Sequence, residues 1–153
     1  MKADRVRKVA DLANRRTRER FGRFLIEGPQ SVREAVTWMP DAVRDLYVQA
    51  VDGPDGPRIA GETLTSIVER SQEHRIYVHP ASEAVMRRIS PDCQGIAAVG
   101  DADAVRAMAQ GTQLPEKPFV AAFWQVRDPG NAGTVIRAAD AAGCDAVVFV
   151  DDC

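Results

Sequence analysis

The stretch FVAAFWQVRDPGNAGTVIRAADAAGCDAVVFV, residues 119–150, decides the fold of the C-terminal part of the chain. Its first eight residues, Phe119–Val126, are almost continuously apolar, which is typical of a strand buried on both faces of a parallel sheet. A glycine-rich turn over Arg127–Gly133 follows, and the helical pattern after it ends at Gly143. The apolar run over residues 145–150 predicts a second buried strand. This order of elements predicts a β-α-β unit with a right-handed crossover.

Upstream of this unit, short apolar runs alternate with helical patterns as far as residue 100. This alternation predicts an α/β fold with at least some parallel pairing of strands. The predicted strands centre on Phe24–Ile26, Leu46–Val48, Ile76–Val78 and Gly95–Val99. The predicted helices lie over residues 4–18, after Ser31, over Leu64–Val68, after Ser82 and over Ala104–Met108, with both serines as N-caps. The segment Gly53–Pro57 is predicted to be a loop that no regular element crosses.

The segment GTQLPEKP, residues 111–118, has the composition of a linker, because it contains two prolines, one glycine and few apolar residues. A chain of 153 residues has room for one α/β domain and a fraction of another. We therefore predict a first domain over residues 1–110, a linker over 111–118, and the start of a second, incomplete domain over 119–153.

Composition and cysteine usage argue against several classes of protein. Apolar residues are 45% and charged residues 27% of the chain, as in soluble globular proteins. No apolar run has the roughly 18 residues of a membrane span, and the N-terminus lacks a secretory signal, so we expect a cytoplasmic protein without a membrane partner. The three cysteines form no CxxC pair, which argues against a disulfide framework or a zinc site: they are Cys93, Cys144 and Cys153. We interpret His74 and His79 as surface or strand-end residues, and we expect no metal site.

The net charge of −2 conceals a strong asymmetry along the chain. Residues 1–23 contain nine Lys/Arg and three Asp/Glu, a net charge of +6, whereas the other 130 residues carry −8. A basic segment on an acidic protein is typical of a polyanionic partner, although a solvated helix face gives the same pattern. The arginines that we expect to contact such a partner are Arg15, Arg16, Arg18, Arg20 and Arg23.

The turn Arg127–Gly133 and the helix after it carry the residues best suited to chemistry. The two glycines of the turn permit a sharp bend and a close approach of a ligand or another chain, and the N–H groups at the start of the helix favour a phosphate. Arg137 lies about one helical turn inside an apolar helix, where a guanidinium needs an anionic partner or a wet cleft. An ion pair with Asp128 or Asp140 is the structural alternative.

A dinucleotide-binding site is a second interpretation of the same turn. Asp151 and Asp152 follow the second strand about 20 residues after the turn, where a ribose-binding acid would lie. The glycine positions of the GxGxxG fingerprint hold Asp128, Gly130 and Gly133 in one register, and Gly130, Ala132 and Val135 in the other. Because the fingerprint needs its glycines for a tight turn and for close approach to the pyrophosphate, this interpretation is disfavoured.

Three segments together resemble the SpoU branch of the SPOUT RNA methyltransferases, over roughly residues 5–150. The pattern DPGNxGxxxRxAxxxG, residues 128–143, resembles the first signature motif of that family. The stretch RFGRFLIEGPxxVxEA, residues 20–35, resembles the opening of the substrate-binding domain that many of these enzymes carry, and residues 94–96, QGI, resemble its closing strand. Two motifs in this order, separated by a linker, are more specific than either alone.

The resemblance implies a small ribosomal-protein-like α/β domain that binds RNA, followed by the first β-α-β unit of a knotted catalytic domain. The implied reaction transfers a methyl group from S-adenosylmethionine to a ribose 2′-hydroxyl of structured RNA, with rRNA favoured over tRNA. Arg137 then corresponds to the catalytic arginine and Asn131 supports the same site, whereas Glu27 contributes either packing or an N-cap or an RNA contact.

The later motifs of the family, which form the knot and the S-adenosylmethionine pocket, are expected downstream of Cys153. We therefore expect the 153 residues to be an N-terminal fragment that binds RNA without catalysing, and the complete enzyme to be a homodimer through its catalytic domain. A non-catalytic RNA-binding module is the alternative function.

The expected role of Arg137 is electrostatic. A ribose 2′-hydroxyl must lose its proton in order to attack a methyl carbon, but a guanidinium is a poor base because its pKa exceeds about 12. We therefore expect Arg137 to hold a phosphate and to stabilise the developing alkoxide.

Overall fold

Residues 3–54, 56–110 and 113–151 are described by the computed structural model, and the chain divides into two units, Met1–Gln110 and Gly111–Cys153. The helices of the first unit are α1 (Ala3–Ala10), α2 (Arg15–Phe21), α3 (Pro29–Trp38), α4 (Glu62–Glu73), α5 (Glu83–Ile89) and α6 (Ala102–Gln110). Its strands are β1 (Arg23–Glu27), β2 (Val43–Gly53), β3 (Gly56–Ile59), β4 (Tyr77–Ala81) and β5 (Ile96–Asp101). Short 3-10 turns cover Asp11–Ala13 and Pro40–Ala42.

The long strand β2 organises the sheet of the first unit. It pairs with β5 in the antiparallel direction and with β4 in the parallel direction, and its C-terminal part forms an antiparallel pair with β3. Strand β1 pairs antiparallel with β5. The predicted α/β fold with some parallel pairing is therefore confirmed, although antiparallel pairs predominate in this unit.

Alternate side chains of β2 enter two separate cores on opposite faces of the sheet, because successive residues of a strand point to opposite sides. Leu46 and Val48 pack with apolar residues of α3 and α4, such as Val36 and Ile67. Tyr47 packs on the other face with residues of α1 and α5: Val6, Val9, Met86 and Ile89. The sheet is thus covered by two helices on each face.

The strands β3 and β4 each pair with β2 alone among the described residues. Each of them contains a proline, Pro57 in β3 and Pro80 in β4. A proline lacks the N–H that an interior strand would donate, so these positions suit the edges of the sheet.

The starts of several helices differ from the predictions. The helix predicted over residues 4–18 is interrupted, because Asn14 is extended and its side chain accepts a hydrogen bond from the Arg16 N–H, which starts a second helix. Helix α3 begins at Pro29 with Gly28 as its N-cap, so Ser31 lies inside the helix. Ser82 does occupy the N-cap position of α5, but its side chain makes no capping hydrogen bond.

The segment Gly53–Pro57 was predicted to be a loop that no regular element crosses; no element crosses it, but the loop is shorter than predicted. Gly53 ends β2 and Gly56 begins β3, and the two residues are paired in register, as are Asp52 and Pro57. Asp55 lies outside the described residues. Turn-forming residues here connect two strands that continue up to the turn itself.

The second unit contains β6 (Val120–Trp124), α7 (Pro129–Ala141) and β7 (Ala146–Val150), and β6 pairs with β7 in the parallel direction. The predicted β-α-β order is therefore confirmed. The prediction that these strands are buried on both faces is wrong, since Trp124 is 71% exposed and Val148 and Val150 are exposed as well. Among residues 113–151, Ala139 alone is fully buried. One helix cannot cover two apolar strands.

No helix within the described ranges combines the length and the apolar character that a membrane crossing requires.

The burial of Tyr47 is expected to make the first unit less stable at alkaline pH. Burial raises the pKa of Tyr47 from 10.0 to about 12, and the neighbouring Asp45 carboxylate adds to this rise. The folded protein therefore retains the phenolic proton at a pH where the unfolded chain loses it. This contribution is complete below pH 10.0 and is lost as the pH rises through about 12.

We expect the free energy of unfolding of the wild type to fall more steeply above about pH 10 than that of a Tyr47→Phe variant, by up to about 2–3 kcal/mol at the alkaline limit. Urea unfolding of both proteins across this pH range measures the difference. Parallel pH profiles for the two proteins would contradict the assignment.

Candidate RNA-binding and catalytic sites

The structure separates the five arginines expected to bind RNA into two groups. Arg18 donates from Nη1 to the backbone carbonyls of Leu12 and Ala13, at 3.1 and 2.7 Å, so its guanidinium closes the end of the preceding turn. Arg15 pairs with Glu19 across one turn of α2, at 2.7 Å. These two side chains therefore stabilise α2 and the turn before it.

The remaining three arginines are exposed, and among the described residues none of them forms an ion pair: they are Arg16, Arg20 and Arg23. Arg16 and Arg20 lie on α2, where the Arg20 guanidinium carbon is 5.3 Å from the centroid of the Phe21 ring. Arg23 begins β1, directly after the left-handed Gly22 that ends α2. Their charges are available to an external anion.

A groove of about 950 Å³ lies between the N-terminal helices and the face of the sheet. Its floor contains Tyr47 of β2, Val99 of β5, and Tyr77 and His79 of β4. Its rim carries charged side chains and one exposed ring: Asp4, Arg5, Lys8, Phe21, Arg23 and Asp45. Strand pairing creates the floor, because His79 lies opposite Tyr47 and Tyr77 lies opposite Asp45.

His79 is the buried centre of this groove, with only 7% of its surface exposed. Its ring stacks on Tyr47 with centroids 4.7 Å apart, and its Nε2 is 2.8 Å from the Asp45 carboxylate. The Arg5 Nη1 is 3.3 Å from both ring nitrogens. A nitrogen equidistant from both in the ring plane would collide with Cε1, so Arg5 lies over a face of the imidazole. The prediction of a surface or strand-end role is therefore wrong for His79, while His74 is exposed at the end of α4.

Charged side chains of the groove affect the pKa of the buried Tyr47. Arg5 and Arg23 both lower the pKa of Tyr47, although burial and Asp45 raise it by more. Asp4 is engaged by Lys8 at 3.1 Å and by Arg7 at 2.7 Å, and these cations, Lys8 foremost, lower the pKa of the Asp4 carboxyl. Within the described part of the chain, no carboxylate pairs with Arg5 or Arg23.

The start of α7 forms the second candidate site. Asp128 is the N-cap, and its Oδ1 accepts a hydrogen bond from the Asn131 N–H at 2.8 Å. Pro129 occupies the first turn, where the missing N–H costs no hydrogen bond. The glycine-rich segment predicted to be a turn is therefore the first turn of the helix itself, and it leaves the Asn131 side chain exposed.

Arg137 lies on the exposed side of α7, and its Nη2 donates to Thr134 Oγ1 at 3.3 Å. A methyl group at Gly133 would lie 3.3 Å from Nη1, so this glycine gives the guanidinium room along the helix. Of the residues that the structure describes, neither Asp128 nor Asp140 pairs with Arg137, and no hydrogen bond joins Arg137 to Asn131. The guanidinium is therefore presented outwards.

The described residues of the second unit do not fit S-adenosylmethionine by themselves. A small-molecule site encloses most of its ligand, whereas Ala139 is the one fully buried residue between 113 and 151. At the end of the strands, the Trp124 indole and the Gln125 amide both donate to Asp151, at 3.0 and 2.8 Å, on an exposed surface. Asp151 thus accepts hydrogen bonds from the last residue of β6 and from the residue after it. Asp152 and Cys153 lie outside the described residues.

Sequence reasoning missed Arg5, Tyr77 and His79 as candidate site residues. One signal was present, because Tyr77 and His79 alternate along a strand and must share a face of the sheet. The proximity of Arg5 depends on how α1 packs on that face, which the local pattern does not reveal.

Comparisons with known proteins identify the first unit. The family described as the MRM3-like substrate binding domain matches residues 3–98, which is more than half of the chain. The 23S rRNA (guanosine(2553)-2′-O)-methyltransferase RlmP of Bacillus subtilis is 31% identical over 98% of this chain and 52% of its own length. The chain thus spans about half the length of this curated relative.

Solved structures share the fold at lower identity. An rRNA methyltransferase from Sinorhizobium meliloti has a TM-score of 0.64 and 21% identity, over 98% of this chain and 52% of its own. The SpoU methyltransferase AviRb from Streptomyces viridochromogenes, in complex with the cofactor AdoMet, has a TM-score of 0.64 and 23% identity, over 97% of this chain and 53% of its own. The resemblance to SpoU-type RNA methyltransferases is confirmed, and the chain belongs to the MRM3-like substrate-binding domain family.

Proposed function

We propose that this chain binds structured RNA, with rRNA favoured over tRNA, as part of an enzyme that methylates a ribose 2′-hydroxyl with S-adenosylmethionine. The observation that carries the proposal is the match to a 23S rRNA 2′-O-methyltransferase over 98% of the chain, together with the family match over residues 3–98. The domain organisation that we propose follows the predicted boundaries: an RNA-binding domain over 1–110, a linker over 111–118 and the start of the catalytic domain over 119–153.

RNA binding is supported by the charge distribution and by the contacts of the basic residues. The segment 1–23 carries a net charge of +6, and three of its arginines are exposed without ion pairs among the described residues: Arg16, Arg20 and Arg23. Phosphate contacts of Lys and Arg supply most of the affinity of proteins for nucleic acids. We assign the main phosphate contacts to these three residues.

The proposed catalytic contribution of this chain comes from Arg137, with Asn131 in support. Arg137 lies about two turns after the start of α7, and its guanidinium faces solvent, so its positive charge is available to a phosphate or an alkoxide. Arg137 orients the ribose phosphate and stabilises the negative charge that develops on the 2′-oxygen. Gly133 leaves space for this side chain.

The complete enzyme is proposed to act in the cytoplasm as a homodimer formed through its catalytic domain. The relative that supports this setting modifies bacterial 23S rRNA. The alternative function is a non-catalytic RNA-binding module. The observation that favours it is the exposure of apolar residues of β6 and β7 in the second unit.

The first functional prediction concerns the three exposed arginines. Replacing Arg16, Arg20 and Arg23 together by glutamine should weaken binding to structured RNA and reduce the slope of log K against log salt by about 2–3, because each phosphate contact releases counterions. Titrations at several salt concentrations measure both effects. Arg18 is left intact, since its loss would expose the carbonyls of Leu12 and Ala13.

A matched control removes the same charge from exposed arginines elsewhere in the first unit: Arg33, Arg58 and Arg75. This control should bind RNA with a slope much closer to that of the wild type. Equal losses in the two triple variants would show that net charge alone, and no localised site, governs binding.

The second functional prediction concerns Arg137 in the complete methyltransferase. An Arg137→Ala variant should lose at least about a hundredfold in methylation rate, as is usual when a group that stabilises a developing oxyanion is removed. Its affinity for S-adenosylmethionine should change little, because the cofactor pocket is expected elsewhere. Single-turnover methylation and calorimetry separate the two effects.

An Asp140→Asn variant on the same helix is the matched control and should retain normal turnover. Near-normal methylation by Arg137→Ala would reassign this arginine to the surface of α7.

The third functional prediction is that the 153 residues alone bind RNA but neither bind S-adenosylmethionine at micromolar concentrations nor methylate RNA. The physical reason is that Ala139 is the one fully buried residue between 113 and 151, so no enclosed cofactor site is formed there. Calorimetry with S-adenosylmethionine tests the prediction. Micromolar binding would contradict it and would place a complete cofactor site within this chain.

A further inference from the structure

Two exposed aromatic rings lie on the groove between the N-terminal helices and the sheet. Tyr77 is 66% exposed and Phe21 is 57% exposed, and both line the same cavity. Single exposed aromatic residues are common on protein surfaces, but two rings in one cation-rimmed groove provide faces on which a planar ligand can stack.

The ring of Tyr77 rests on a preorganised support. It packs against His79 with centroids 4.5 Å apart and the two planes tilted by 52°. His79 is itself fixed by its stacking on Tyr47, by its 2.8 Å contact with Asp45 and by Arg5 over its face. A ring supported in this way loses little conformational freedom when it binds a ligand.

The charges at the rim favour an anionic ligand. Arg5, Lys8 and Arg23 line the groove together with two carboxylates, Asp4 and Asp45. Asp4 already pairs with Arg7 and Lys8, and Asp45 is bound to His79. Arg5 and Arg23 are therefore the groove cations without a carboxylate partner among the described residues.

We propose that this groove binds one unpaired nucleotide of the RNA, with its base stacked on Tyr77 and its phosphate held by Arg23 and Arg5. The inference rests on the proposed RNA binding and specifies which feature of the RNA is recognised. Sequence-tolerant recognition of unpaired nucleotides uses this combination of aromatic faces and basic side chains, since every base has a π-face. A paired base inside an A-form helix cannot offer that face.

The size and position of the groove agree with this ligand. Its volume of about 950 Å³ lies at the upper end of small-molecule sites, which leaves room for a nucleotide and its flanking phosphates. The Arg20 guanidinium carbon is 5.3 Å from the centroid of the Phe21 ring, so one of the exposed arginines assigned to phosphate contacts lies beside a groove residue, and Arg23, another of them, lines the groove itself. The RNA backbone can therefore pass from α2 into the groove.

The test compares an RNA hairpin that carries a single bulged 2-aminopurine with the same hairpin without the bulge. The wild-type chain should bind the bulged RNA more tightly and should quench the 2-aminopurine fluorescence by stacking. The Phe21→Ala/Tyr77→Ala variant should lose roughly tenfold in affinity for the bulged RNA and lose the quenching. It should bind the unbulged hairpin as the wild type does.

Two further variants make the result specific. Tyr77→Phe should retain quenching and affinity, because stacking needs the ring and not the hydroxyl. Trp38→Ala, which removes an exposed aromatic residue of α3 outside the groove, should behave as the wild type.

The possible failures are distinguishable. If the wild type binds neither hairpin, the proposed RNA binding fails and the groove proposal fails with it. If the wild type binds both hairpins equally, or if Phe21→Ala/Tyr77→Ala keeps the preference for the bulge, the groove proposal is overturned while RNA binding stands.

Discussion

The pairing of β2 between β4 and β5 is the constraint on which the rest of the first unit depends. Its register sends Leu46 and Val48 into one core and Tyr47 into the other, and it places His79 beside Tyr47. A shift of one residue in this pairing would turn every side chain of β2 to the opposite face of the sheet. Leu46 and Val48 would then leave the core with α3 and α4, and Tyr47 would enter it. The two cores and the floor of the groove therefore form together or not at all.

The elements of the fold could be predicted from the sequence wherever a local pattern determines them. The apolar runs at Leu46–Val48 and Ala146–Val150 lie in strands, and the alternation of strands with helices gave the correct fold class. The partners of each strand could not be predicted, because antiparallel and parallel pairing depends on contacts between segments that are distant along the chain. The apolar sequence of β6 likewise predicts burial, but it does not show which segments pack on the strand. Among the described residues of the second unit, only one helix, α7, is present to cover it.

The candidate sites show the same division between local and long-range information. Charge counting located the basic segment, and the motif around Arg137 located the second site. Neither method could show that Arg18 is occupied with the carbonyls of Leu12 and Ala13, because a capping arginine and a phosphate-binding arginine have the same sequence signal. The groove around His79 brings together residues that lie more than seventy positions apart, such as Arg5 and His79. Only the packed structure reveals such a cluster.

Three strands of the first unit have a single neighbour among the described residues, and the prolines in two of them, β3 and β4, have a consequence for self-association. Pro57 and Pro80 interrupt the ladder of N–H donors that an exposed strand would offer to another chain, which protects these edges against strand addition. Strands β6 and β7, VAAFW and AVVFV, contain no proline and no charged residue, and both are edges of a two-stranded sheet within the described residues. A further strand can join them through backbone hydrogen bonds alone. Association of the chain at high concentration would therefore begin at the strands of the second unit, while the first unit kept its fold.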